Sequence, residues 1–447
     1  MRLINTQTLE CEEFDYPEIP PYAILSHTWG NGELLYEDLL ASKRVTGKAN
    51  GYLKLDNTVR RAAGAGIGHC WIDTCCIDKK NFSELSEAIN SMFNWYKEAK
   101  VCYAYLADVP SNEDPSGAGS QFRKSRWFTR GWTLQELLAP QSVVFLASDW
   151  RRIGRKQELA PAIEEVTHIP RRFLLGADLD TATIAQRMSW AARRKTKKEE
   201  DIAYCLWGIF GVNMPLIYGE REKGAFRRLQ LEILKLSDDT SIFAWTQTGF
   251  TEGETDTFQT FGLLAQSPSC FGNGHDIIIA TQPRAPGYIN GIRTPVTVDN
   301  KGLHLSLATI PDPGKLATVI LGCTRQGDMK TRIVLQLVDI SRNGGRWARV
   351  KVHKLESRHC DKLQLKSTFK DFSTEMRAFN KVLCIAEDDH EESASGTAGS
   401  SYYQSERATG SRGYGRKPCV VVVHRGTGGP VNDPNMSSSS PCGGYWK

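Results

Sequence analysis

The sequence lacks most of the signatures that would place it quickly, and each absence excludes a class. Its 447 residues contain neither G-x-x-x-x-G-K-[ST] nor G-x-G-x-x-G, so no P-loop and no Rossmann phosphate cradle is available. The 12 cysteines are scattered, with no C-x-x-C pair and no Cys/His cluster, which argues against a zinc site and against a disulfide framework. Long apolar runs are also missing. The longest, AYCLWGIFGVNMPLIY at 203–218, falls short of a bilayer span and carries Asn213 and Pro215. A net charge of +5 is small for this length and does not argue for nucleic acid, which needs charge gathered on one face. The N-terminus has no apolar core of the kind a secretory signal needs. The expectation is a soluble, cytoplasmic protein with no metal and no membrane span. No internal repeat is visible, which leaves solenoids and propellers unsupported.

What is present begins with four short apolar runs in the first 150 residues: YAILS (22–26), HCWIDTCCI (69–77), VCYAYLADV (101–109) and SVVFLAS (142–148). They are nearly continuous rather than alternating, as strands covered on both faces require. Helical patterns separate them. In 52–67, Leu53, Leu55, Val59, Ala62 and Ala63 fall near helical spacing. In 83–99, Leu85, Ala88, Ile89, Met92, Phe93 and Tyr96 share a face, and TLQELLAP (133–140) fits a short helix stopped by Pro140. Strands alternating with helices predict an open α/β parallel sheet over 1–155.

Residues 156–245 read as mainly helical, with a charge run ARRKTKKEED at 192–201. That run fits a nuclear address or a phosphate-binding patch, and the plainer reading, a solvated turn before a helix, is adopted. From 246 to 387, short β-like pieces separated by turns predict a small antiparallel β unit. The stretch 388–447 is rich in Gly and Ser and is read as a mostly disordered tail, with one strand-like run at 418–425.

In an open α/β sheet, ligands bind beyond the carboxyl ends of the strands. The first strand delivers His27, Thr28 and Trp29 to that rim, and the second delivers Asp73 within the strand and Asp78 at its end. Glu84 follows at the start of the next helix, where Asn81 and Glu84 also fit a capping box. Glu87 is a competing carboxylate one turn on. The segment SRWFTRGWTLQELLAP (125–140) adds Arg126, Trp127, Arg130, Trp132 and the Gln135-Glu136 pair. Each has a plain structural reading: tryptophans usually pack, and Glu136 or Arg130 suits a surface ion pair. Cys75 and Cys76 read as small core residues.

Taken together and in order, YAILSHTWG, CWIDTCCID with the Glu84 helix, and RGWTLQELLAP closely resemble the three motif blocks of the fungal heterokaryon-incompatibility (HET) domain. Residues 184–233 resemble the segment that often follows such domains. One departure is Cys76-Ile77-Asp78-Lys79, where many relatives carry an Asn-Gln pair. The resemblance implies non-self recognition and regulated cell death, with other HET or cell-death proteins, or copies of itself, as partners. It also implies distant similarity to TIR domains, whose flavodoxin-like sheet in some cases cleaves NAD with a glutamate. By that similarity Glu84 becomes the catalytic candidate, with His27, Trp29, Asp73, Arg130 and Trp132 as candidate substrate-binding residues and NAD as substrate. Signalling by assembly and NAD cleavage both remain open at this level, because one sheet hosts both behaviours; the assembly reading is adopted.

Overall fold

A computed structural model describes residues 1–41, 44–247, 258–280, 296–299, 302–311, 316–341, 346–359, 368–374 and 382–383. The tail expected from 388 onward, with its strand-like run at 418–425, lies outside the described residues. Residues 1–386 form one compact unit.

The first layer is a seven-stranded sheet. Its strands are β1 (Arg2–Asn5), β2 (Cys11–Glu13), β3 (Tyr22–His27), β4 (His69–Trp71), β5 (Val101–Tyr105), β6 (Val143–Leu146) and β7 (Arg152–Arg155), in the order β2-β1-β4-β3-β5-β6-β7. The four central strands are parallel, while β1, β2 and β7 add antiparallel edges that the sequence reading did not contain. Every residue of β3 is buried, which explains its unbroken apolar run. Among the parallel strands the first lies between the second and the third, a doubly wound order whose switch point sits between β3 and β5.

Helix α1 (Ala49–Gly64) crosses from β3 to β4, and α2 (Phe82–Glu98) crosses back from β4 to β5. Because the two crossovers run in opposite directions, right-handed connections put the helices on opposite faces. α2 buries Ala88, Ile89, Met92 and Tyr96, on the face its spacing predicts. α1 differs from expectation. Its buried stripe is Gly51, Lys54, Leu55, Thr58, Val59 and Ala62, while Leu53 is 49% exposed and Ala63 faces out. A lysine replaces a leucine on the inner face because its charge is met there. The second strand is also shorter than expected. Cys75 N and Cys76 N both donate to Ile72 O, at 3.1 and 2.8 Å, so a tight turn opens right after Trp71 and Asp73 sits in it, beyond the strand.

α3 (Thr133–Leu138) is buried at every position. Helices α4 (Lys156–Thr167), α5 (Ile184–Ala191), α6 (Asp201–Tyr204), α7 (Trp207–Phe210) and α8 (Arg221–Leu236) follow, and α7 packs on α2. The C-terminal strands are β8 (Thr297–Asp299), β9 (Gly302–Pro311), β10 (Leu316–Ile320), β11 (Thr331–Asp339), β12 (Arg346–Val350), β13 (Glu356–His359) and β14 (Thr368–Thr374). Pairing runs β9–β10–β11–β12–β14 and returns to β9, so these strands close on themselves. All those pairs are antiparallel except β12–β14. Closure removes the open edges a free sheet would expose. Among the described residues no helix is long and apolar enough to cross a membrane.

Candidate functional site

The carboxyl rim of the parallel strands gathers a dense polar network. His27 ends β3 with its side chain buried. Its Nε2 lies 3.0 Å from Asp73 Oδ1, and its Nδ1 lies 2.8 Å from Lys54 Nζ. An ammonium only donates and an ionised carboxylate only accepts, so Nδ1 is the acceptor and Nε2–H the donor. Lys54 also donates to Thr28 O at 3.4 Å and forms an ion pair with Glu33, whose Oε1 accepts from Gly30 N at 2.7 Å. The loop that carries Glu33 lies on the first turn of α1. Gly32 takes a positive φ of 73°, and a Cβ on Gly51 would sit 2.3 Å from Leu34 N, so both positions require glycine.

Asp73 takes a second bond at Oδ2, where Trp29 Nε1 donates at 2.7 Å. Burial pushes the Asp73 carboxyl upward. The His27 hydrogen bond, the Lys79 charge and the Trp29 N–H outweigh that and hold it down at about 2. Lys79 Nζ lies 3.6 Å from the centre of the Trp29 ring and has no hydrogen-bond partner; burial lowers its pKa, opposed by Asp73. The indole itself is 43% exposed.

The third motif block joins from the other side of β3. Trp127 Nε1 donates to Ser26 Oγ at 2.8 Å, and Ser26 Oγ donates to Glu136 Oε2. Glu136 is buried, so the surface ion pair considered for it does not form. Burial raises its carboxyl to about 8; the Ser26 hydrogen bond opposes the rise and the charge of Asp73 adds to it. The residues Ser26-His27-Thr28-Trp29 are therefore the point where all three blocks meet.

The other candidates do not join this network. Glu84 stays on the rim, but Arg2 of β1 reaches it with Nη1 to Oε1 at 2.6 Å and Nη2 to Oε2 at 3.1 Å, and Asp78 N donates to Oε1 at 2.8 Å. Asn81 caps α2 by accepting from Glu84 N at 3.3 Å, so half of the capping box forms and the Glu84 carboxylate is turned to Arg2. Glu87 is exposed. Trp132 is turned into the helical segment, where its Nε1 donates to Asp201 Oδ2 at 3.2 Å. Arg130 is half-buried, and its carbonyl accepts from Arg194 Nη1 at 2.9 Å. Sequence reasoning missed Ser26, Glu33, Lys54 and Lys79. Lys54 had a legible signal, since it lies between Gly51 and Thr58 on the stripe that carries Leu55.

Chemically, His27 has both ring nitrogens in hydrogen bonds, and each Asp73 oxygen already accepts one. The network holds an exposed indole with a cation on its face. Such a fixed aromatic suits contact with a partner.

Residues 22–119 match the family of heterokaryon incompatibility (HET) proteins, so the chain carries a HET domain. It is 48% identical over 225 residues, 49% of its length, to the vegetative incompatibility protein HET-E-1 of Podospora anserina. The chain spans only 16% of that relative's length. No solved structure matches it.

Proposed function

We propose that this chain acts in heterokaryon (vegetative) incompatibility as a cytoplasmic signalling module that triggers regulated cell death by assembly with other HET or cell-death proteins, or with itself. The observation that carries the reading is Trp29. It is 43% exposed, yet its N–H is fixed by Asp73 and its face is covered by Lys79. An exposed aromatic is ordinarily free to rotate; one anchored by a buried ion network is pre-organised for a contact, which lowers the entropy lost on binding. The family match and the similarity to HET-E-1 support the biological setting.

NAD cleavage through Glu84 is not adopted. Both oxygens of that carboxylate are engaged by Arg2, and one also by a backbone N–H. The test is inducible expression in a filamentous fungus, scored by vital-dye uptake, together with nicotinamide release from NAD by the purified protein. Wild type is expected to kill, and Trp29→Ala to be silent while keeping its fold. Killing that tracks NAD turnover and is lost in Glu84→Gln would overturn the assembly reading.

A further inference from the structure

A second polar cluster lies away from the rim and differs from it in being unbalanced. His168, Trp190, Arg193, Arg194 and His275 are among the ten residues that line a small cavity of about 30 Å3. Here the loop before α3, the end of α4, the end of α5 and the 272–275 segment converge. Two arginines and two histidines face the space, and none of its ten lining residues carries a carboxylate.

The floor is deeply buried and has donors to spare. Arg194 is 6% exposed and Trp190 3%. Arg194 donates from Nε to Trp190 O at 3.1 Å and from Nη1 to Arg130 O and Thr133 Oγ1 at 2.9 and 3.0 Å. Its Nη2 is left without a partner, and so is Trp190 Nε1. A buried donor with nothing to bind is destabilising, the more so when charged, so two on residues that line one cavity call for an acceptor. Burial lowers the Arg194 guanidinium to about 10, which leaves it cationic at neutral pH. The mouth is exposed: Arg193 Nη1 lies 3.2 Å from His168 Nε2, and the His168 and His275 rings stand 5.4 Å apart.

We propose that this cavity binds a phosphate group, either as the free ion or as the terminal group of a phosphorylated ligand. Arg194 and Trp190 form the floor, and Arg193 with the two histidines forms the mouth. Arg193 and Arg194 belong to the basic run at 192–201 that the sequence left as a solvated turn. The cavity has room for about two water-sized groups, which suits phosphate oxygens and excludes a base or sugar from the interior. A fork of guanidinium donors matches that oxyanion. The site stands independently of the assembly reading.

The test is calorimetry on the purified full chain, titrated with inorganic phosphate, glycerol 3-phosphate or chloride at matched ionic strength. Binding of either phosphate without binding of chloride supports the site. The free ion is the ligand if only inorganic phosphate binds, and a phosphorylated molecule is the ligand if the ester binds as well or better. Arg193→Gln, on the exposed mouth, is expected to weaken binding about tenfold at an unchanged melting temperature, and Trp190→Phe, which removes the Nε1 donor and part of a buried ring, to weaken it similarly at a lowered melting temperature. No phosphate binding above chloride, or unaltered affinity in both folded variants, overturns the proposal.

Discussion

Two charged clusters in this molecule, the rim and the cavity, are built from similar side chains and do opposite things. At the rim, Lys54 and Lys79 are set against Glu33 and Asp73, with His27 bonded on both sides. In the cavity, Arg193, Arg194, His168 and His275 stand with no acid lining the same space. Balance makes the first cluster a brace that fixes an exposed indole. Imbalance makes the second a receptor. Counting which charges are already answered separates the two roles better than counting titratable residues.

If the rim is a brace, breaking it should cost stability more than anything else proposed here. Lys54→Met strands the buried Glu33 carboxylate and removes the donor to His27. The expected loss is about 3–5 kcal/mol, read by urea denaturation. Adding Glu33→Gln should recover part of it. Asp73→Asn comes next, at about 2 kcal/mol. The folded pKa of Asp73 is depressed to about 2 from 3.8, so its contribution is present above pH 3.8 and is lost as pH falls toward 2. Melting curves of the wild type and Asp73→Asn should therefore converge in acid.

The effect at Glu136 has the opposite sign and grows with pH. Its folded pKa is raised from 4.5 to about 8 by burial, so the folded state holds a proton that the unfolded chain has lost. Stability from this group is complete below pH 4.5 and declines as pH rises toward 8. Glu136→Gln, which keeps a side chain able to accept from Ser26, should gain melting temperature relative to wild type as pH goes from 5 to 8. A constant difference across that range would show that Glu136 ionises normally.

Much of the fold was legible in the sequence because burial on both faces leaves unbroken apolar strands, as in β3, and because α2 keeps a strict apolar face. β1, β2 and β7 were not, since three- and four-residue strands with polar residues carry too little pattern. The rim was legible as a place, through His27, Trp29 and Asp73. Its chemistry was not. Lys54 looks like a surface lysine in one dimension and is buried only because Gly32 and Gly51 let the Glu33 loop settle onto α1. Glu84 looked free because its partner, Arg2, lies 82 residues away on a short strand the pattern does not reveal. Trp132 shares a motif with Trp127, but one turn of backbone points it at Asp201.

The measurement that bears most directly on the account is a side-by-side cell-death assay of Trp29→Ala and Glu84→Gln, each first checked for a wild-type circular dichroism spectrum. Trp29→Ala is expected to be folded and silent and Glu84→Gln to kill like the wild type. A folded Trp29→Ala that kills normally, beside a folded Glu84→Gln that does not, would contradict it.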